Sequence, residues 1–282
     1  MKLNLAPCHT RPGARHAGGF TMVEIALCLA IIGFALVAVI GVLPTGLSVQ
    51  KDNREQTMIN LDAAFLMDTL RSGATGQNDL TNYVTNIIIT STLYSSAGLV
   101  VPGYSSSIPY GPDTLTSGAE IVGLLSTPKY IPTNGGFITL GWGYYSNTVK
   151  ALMRAINGPV IDQGVNGMGF AFNYQVQVEV MPSAEYAYSW VNAALKRNVT
   201  APGLLPSFTG PLPADAQTAL ALQNNLNEIR LSYTWPILPG NGLRFGGGRQ
   251  VFRSSVAGAI TNDTLVTPNL YFIQPLSYQA TP

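Results

Sequence analysis

Residues 25–43 hold nineteen positions in a row without a charge or a strongly polar group. As a helix this run is about 28 Å long at ~1.5 Å per residue, close to the roughly 30 Å hydrocarbon core of a bilayer. Pro44 and Gly46 follow it and predict a kink or a short melted stretch near 44–46, because proline removes a backbone donor and crowds the preceding turn. Helical periodicity then resumes over 47–71. Ile59, Ala63, Leu66, Met67 and Leu70 share one face, while Lys51, Asp52, Arg54 and Glu55 read as an exposed polar stretch. Ser72-Gly73 stops the helix, with Arg71 in the last turn, where a cation suits the helix dipole.

Beyond Gly73 the period shortens. Residues 170–180 alternate strictly, with Phe170, Phe172, Tyr174, Val176, Val178 and Val180 on one face and Ala171, Asn173, Gln175, Gln177 and Glu179 on the other. That is a strand with one buried and one wet face. Residues 228–235 repeat the pattern through Ile229, Leu231, Tyr233 and Trp235, and 87–93, 120–125, 136–145, 250–256 and 270–273 are further strand candidates. Residues 100–107 read as a loop. Short helices are predicted at 148–157, stopped by Gly158-Pro159, at 184–197, capped by Ser183, and at 214–226. A Pro/Gly-rich link spans 201–213. The sum is an α+β chain: an antiparallel sheet whose apolar face is covered by the amphipathic half of the N-terminal helix.

Only 10% of the 282 residues are charged, and the formal net charge is +1. No run of basic residues marks a nucleic-acid footprint. Both histidines, His9 and His16, and one of the two cysteines, Cys8, precede Phe20; the other cysteine, Cys28, lies in the apolar run. The region after the run therefore has no histidine for a Ser-His-Asp or Cys-His site and none for an ordinary zinc site, and the reading is non-enzymatic. Asp113, Glu120, Asp162, Glu179, Glu185, Asp215 and Asp263 are available as carboxylates, but no spacing pairs two of them. Residues 162–167, Asp-Gln-Gly-Val-Asn-Gly, offer calcium ligands with few carboxylates, so calcium is admitted and no cofactor is expected. Gly246-Gly247-Gly248 lacks the lysine and helix of a phosphate loop and reads as a turn.

Glu24 at the head of the apolar run needs an explanation, since a carboxylate there is costly unless it is paired or interfacial. A cleaved secretory signal would need small residues after the run, and Val42-Leu43-Pro44-Thr45-Gly46-Leu47 supplies no such site. A plain signal anchor explains the length but not Gly18-Gly19 or Glu24. A buried core helix is disfavoured by the length.

The string Gly19-Phe20-Thr21-Met22-Val23-Glu24, followed by an apolar helix, resembles the N-terminal motif of type IV pilins and type II secretion pseudopilins. The two-part helix and the strand pair around 228–256 are similar to minor pseudopilin I and minor pilin V-like proteins. The resemblance implies that a prepilin peptidase removes a leader, 1–19, by cutting after Gly19, and that Phe20 becomes the N-methylated N-terminus. It implies that Glu24 faces the N-terminal amine of a neighbouring subunit, where each charge relieves the other in low dielectric. It further implies a long helix over 20–73, with 20–43 in the membrane or filament core, and an extracytoplasmic domain over 74–282. Partners would be other pilin or pseudopilin subunits and an inner-membrane assembly platform. Lys2, Arg11 and Arg15, with no acidic residue before Glu24, agree with a cytoplasmic N-terminus at the bacterial inner membrane. The leading expectation is a structural subunit of a type II secretion pseudopilus. Alternatives are a minor pilin of a type IV pilus, serving adhesion, motility or DNA uptake, and a membrane-anchored module binding glycan or cell wall through tyrosines and asparagines in 83–110 and 186–190.

Overall fold

Thr21 begins the first helix, α1 (Met22–Ser72), by capping it, and the helix then runs for 51 residues. A computed structural model of the chain describes residues 19–95, 98–132, 144–157, 172–182, 218, 221–222, 224–238, 242–263 and 269–278. Residues 1–18 of the leader, the calcium candidate at 162–167, the helix predicted at 184–197 and the link at 201–213 lie outside these residues. So do 136–143 of the strand predicted at 136–145. Of the helix predicted at 214–226, the described residues Thr218, Ala221, Leu222, Asn224 and Asn225 are helical.

The helix does not melt at Pro44; it is continuous across 44–46. A proline removes a single donor, and the hydroxyls next to it meet nearby carbonyls: Thr45 Oγ1 donates to Val42 O at 2.7 Å and Ser48 Oγ to Thr45 O at 2.9 Å. The predicted stop holds. Gly73 takes a left-handed φ of 60°, its N–H donates to Leu70 O at 3.3 Å, and Ala74 N–H donates to Thr69 O at 3.3 Å. This crossed pair is the Schellman closure that glycine permits without a Cβ penalty.

Two compact units divide the chain, Met1–Arg54 and Glu55–Pro282. In the first, every described residue from Gly19 to Arg54 is exposed. In the second, α1 turns Met58, Ile59, Ala63, Leu66, Met67 and Leu70 into one hydrophobic core shared with the sheet. The expected apolar face is thus buried as a unit. Glu55, expected in the exposed polar stretch, is buried, because it falls four residues before Ile59 and seven before Asp62 on the same stripe.

Eight strands form the sheet among the described residues: β1 (Val84–Tyr94), β2 (Val100–Tyr110), β3 (Tyr130–Pro132), β4 (Tyr144–Arg154), β5 (Asn173–Pro182), β6 (Leu226–Leu238), β7 (Arg244–Asp263) and β8 (Leu270–Pro275). Their order is β2-β1-β4-β5-β6-β7-β8, all neighbours antiparallel, with β3 paired to β4. The predicted alternation of β5 and β6 is realised: Phe172, Tyr174, Val176, Val178 and Val180 are buried, as are Ile229, Leu231, Tyr233 and Trp235.

Four expectations are corrected. Gly246-Gly247-Gly248 lies inside strand β7 rather than in a turn, with Gly248 paired opposite Trp235 of β6. Residues 100–107 belong to strand β2, an edge strand whose residues are nearly all exposed, so no apolar alternation announces it. Residues 120–125 are helical, within α2 (Gly118–Leu125), started by a capping box in which Ser117 Oγ accepts from Glu120 N–H and Glu120 Oε2 accepts from Ser117 N–H. Residues 148–154 are strand β4, not helix. Its Lys, Ala, Leu, Met and Arg are good helix formers, but Val149, Ala151 and Met153 point into the core at period two, and pairing with both β1 and β5 decides the outcome.

Candidate functional site

The head of α1 gathers the residues singled out by the sequence. Glu24 is the third residue of the helix, and Thr21 is its cap. Thr21 N–H and Oγ1 donate to Glu24 Oε2 at 2.8 and 2.9 Å, and Glu24 N–H donates back to Thr21 Oγ1 at 3.3 Å. Glu24 therefore has a local role that the sequence reading missed: it closes a Thr-x-x-Glu capping box, which satisfies otherwise orphaned helix donors. The signal was in the text, since Thr21 and Glu24 stand three apart just before an apolar run. Among the described residues both bonds to the carboxylate fall on Oε2, and Oε1 has no donor there. Phe20 is exposed beside the cap. Gly19 has open space where a Cβ would lie, so nothing in the fold around it demands glycine.

Behind this head the apolar run is uncovered. Leu27, Ile31, Phe34, Val37 and Ile40 all expose more than half of their surface, and Cys28 is a free, exposed thiol. Among the described residues one helix is long and apolar enough to cross a membrane, α1 near the N-terminus, and none of its apolar stretch is buried within the protein. Uncovered apolar surface on this scale requires lipid or other apolar helices around it.

A second polar centre lies under the sheet. Asp62 of α1 is fully buried and accepts four hydrogen bonds: from Ile156 N–H at 3.1 Å, Asn157 N–H at 2.8 Å, Asn157 Nδ2 at 3.0 Å and Tyr174 Oη at 3.0 Å. Burial pushes its carboxyl above the usual aspartate value, against the pull of these donors. Burial also holds the Tyr174 phenol well above its ordinary range, helped by the Asp62 charge and by Tyr233, whose ring packs at 5.3 Å. Asp62 was not singled out in the sequence. Its position, three after Ile59 and four before Leu66, places a carboxylate in the middle of the apolar stripe, which is the readable signal.

On the opposite, wet face, Glu179 of β5 is held between two cations, Lys129 Nζ at 2.9 Å and Arg230 Nη1 at 3.3 Å. Burial pushes the Glu179 carboxyl up, but the Lys129 hydrogen bond and the two positive charges outweigh it and hold the group below the usual glutamate value. The strands also bring Lys150, Arg249 and Arg253 to this face, so basic residues scattered along the sequence are gathered by the sheet. At another place on the sheet Tyr94 stacks on Tyr144 with centroids 5.3 Å apart, and Tyr130 meets Tyr144 edge-on at 5.6 Å. Tyr94 belongs to the stretch named for glycan contact; 186–190 lies outside the described residues.

Among the described residues two of the candidate carboxylates have structural partners. Glu120 caps α2 and Glu179 is ion-paired. Among the described residues no three His, Cys, Asp or Glu side chains are grouped to hold a metal. No family model, no curated protein and no solved structure matches the chain.

Proposed function

We propose that the chain is a structural, non-enzymatic filament subunit, processed by a prepilin peptidase after Gly19 and assembled through its N-terminal helix into a type II secretion pseudopilus. The observation that carries this reading is the head of α1. A Gly-Phe-Thr-x-x-Glu string stands before a helix whose apolar run is wholly uncovered, and among the described residues the glutamate keeps one carboxylate oxygen unused. In a membrane such a helix is anchored by its own surface; in a filament the same surface packs against the helices of neighbouring subunits. The open space at Gly19 supports a peptidase reason for the glycine over a packing one. After cleavage Phe20 carries the new amine, and the capping box survives because Thr21 keeps its amide N–H. The open Oε1 of Glu24 is then available to the amine of an adjacent subunit, an ion pair that forms only at one axial stagger. Phe20 is N-methylated in this reading, and the remaining partners are the other pseudopilins and the inner-membrane platform.

Glu24→Gln separates assembly from capping. Glutamine serves at the third position of a capping box as glutamate does, but it carries no charge. The proposal requires that Glu24→Gln be inserted in the membrane at wild-type level and be lost from filaments. Wild-type incorporation of the Gln variant would leave Glu24 as a helix cap only. The same helix suits a minor pilin of a type IV pilus, and filaments isolated with the chain inside them distinguish the two machines by their major subunit.

A further inference from the structure

The two long edges of the sheet are built differently. Edge strand β2 carries Pro102 and Pro109, which have no N–H to offer a further strand. At the other side, β7 has 20 residues against 13 in β6 and 6 in β8, and β8 covers only its last third, from Gly258 to Asp263. The carbonyls of adjacent strand residues point to opposite flanks. Gly258 O accepts from Asn227 Nδ2 on β6 at 2.8 Å, whereas Ala257 O accepts from Leu276 N–H at 3.4 Å just past β8. So β8 lies on the flank away from β6, and it ends at Pro275 in a turn closed by Ser277 Oγ on Gln274 O at 2.8 Å. Residues 244–256 pair with β6 on one flank and with no described strand on the other. This flank, free among the described residues, is in line with β8 and contains no proline.

The side chains along the flank have a pattern. Arg249, Val251 and Arg253 lie on the wet face, all three exposed, opposite Thr234, Ser232 and Arg230 of β6. Arg253 therefore stands directly across from another arginine, and the carboxylate nearest its guanidinium, Glu228 Oε1, is 4.0 Å away. On a sheet, the next strand presents its side chains about 5 Å from these, and opposite charges there are favourable while like charges are not. A second copy adding edge to edge in antiparallel fashion would bring arginine against arginine. An acidic strand would not.

We propose that the free flank of β7 is a strand-addition site for an extended acidic segment of another protein. That segment places carboxylates opposite Arg249 and Arg253 and an apolar residue between them, opposite Val251: acidic, any, apolar, any, acidic. No stretch of the 282 residues has that pattern, and the segment is assigned to a different protein. Main-chain hydrogen bonds supply the adhesion, and the two arginines select the sign of the charge. The inference does not depend on the filament reading.

The test uses the full chain in detergent micelles and two extended peptides of equal length and apolar content. One has glutamates at the acidic positions; the other has lysines there. The glutamate peptide is expected to bind about tenfold or more tightly than the lysine peptide, and to slow amide exchange across 244–256. Arg249→Glu with Arg253→Glu, on exposed positions, is expected to reverse the preference. Equal binding of the two peptides, or binding of neither, overturns the proposal. So does exchange in the free protein that is already as slow over 244–256 as in β6, which means that the chain covers this flank itself. Slow exchange appearing only as protein concentration rises would also overturn it, in favour of self-pairing.

Discussion

The Tyr174 hydroxyl on β5 donates a 3.0 Å hydrogen bond to Asp62 of α1, across 112 residues of sequence. With the amides of Ile156 and Asn157 it makes a polar latch in the middle of an apolar interface. The latch fixes the rotation of the helix stripe on the sheet, because sliding by one residue would bury the carboxylate against carbon. Asp62→Ala orphans two backbone donors, the Asn157 side-chain amide and a phenol at once. It is expected to lower unfolding free energy by about 3 kcal/mol, read by denaturant unfolding of the full chain. Tyr174→Phe removes one of the four bonds and is expected to cost about 1 kcal/mol.

Asp62 also gives stability a pH dependence with a defined sign. Its native pKa is raised above the unfolded value, so the native state holds this proton more tightly. The contribution is greatest below about pH 4, the ordinary aspartate range, and diminishes as pH rises through the raised native value. The stability difference between wild type and Asp62→Asn should therefore fall with rising pH and then level off. A difference that grows with pH would show that the donors outweigh burial.

Glu179 is expected to behave in the opposite sense. Lys129 and Arg230 hold its pKa down, so its contribution is complete above the ordinary glutamate range and is lost as pH falls through the depressed native value. Wild type minus Glu179→Gln should rise with pH to a plateau of about 1 kcal/mol, a partly exposed pair being worth no more. Lys129→Met should remove most of that plateau.

Gly73 cannot be replaced without loss. Its φ of 60° disfavours any L side chain, and a Cβ there would meet the Ile273 carbonyl of β8. Gly73→Ala is expected to cost about 2 kcal/mol or more, combining left-handed strain with that backbone clash. Gly76→Ala, which meets open space, is the matched control and should stay within about 0.5 kcal/mol of wild type.

The parts of this fold that were legible are those where one face is buried. The stripe from Ile59 to Leu70 and the alternation of β5 and β6 follow directly from hydrophobic period, and Gly73 is a stop signal with a mechanism. The edge strand β2 was not legible because an exposed edge needs no apolar alternation. β4 was misread because its helix-forming residues are overruled by neighbours far away in sequence. α2 was misread although Ser117 and Glu120 spell its capping box. At the helix head, Gly19, Phe20 and Glu24 stand out by type and position, while the Thr21 bond to Glu24 is written only as a three-residue spacing before the apolar run. Asp62 and the β7 flank depend on which strands meet, and a one-dimensional reading of residue pattern does not contain that.

The most direct test of the filament account is the mass of the N-terminal peptide of the membrane-isolated protein, made in the presence of its prepilin peptidase. The account predicts a peptide that begins at Phe20 and carries one methyl group. A peptide that still contains the residues before Phe20 under those conditions would contradict it, and α1 would then be an ordinary membrane anchor for the sheet domain.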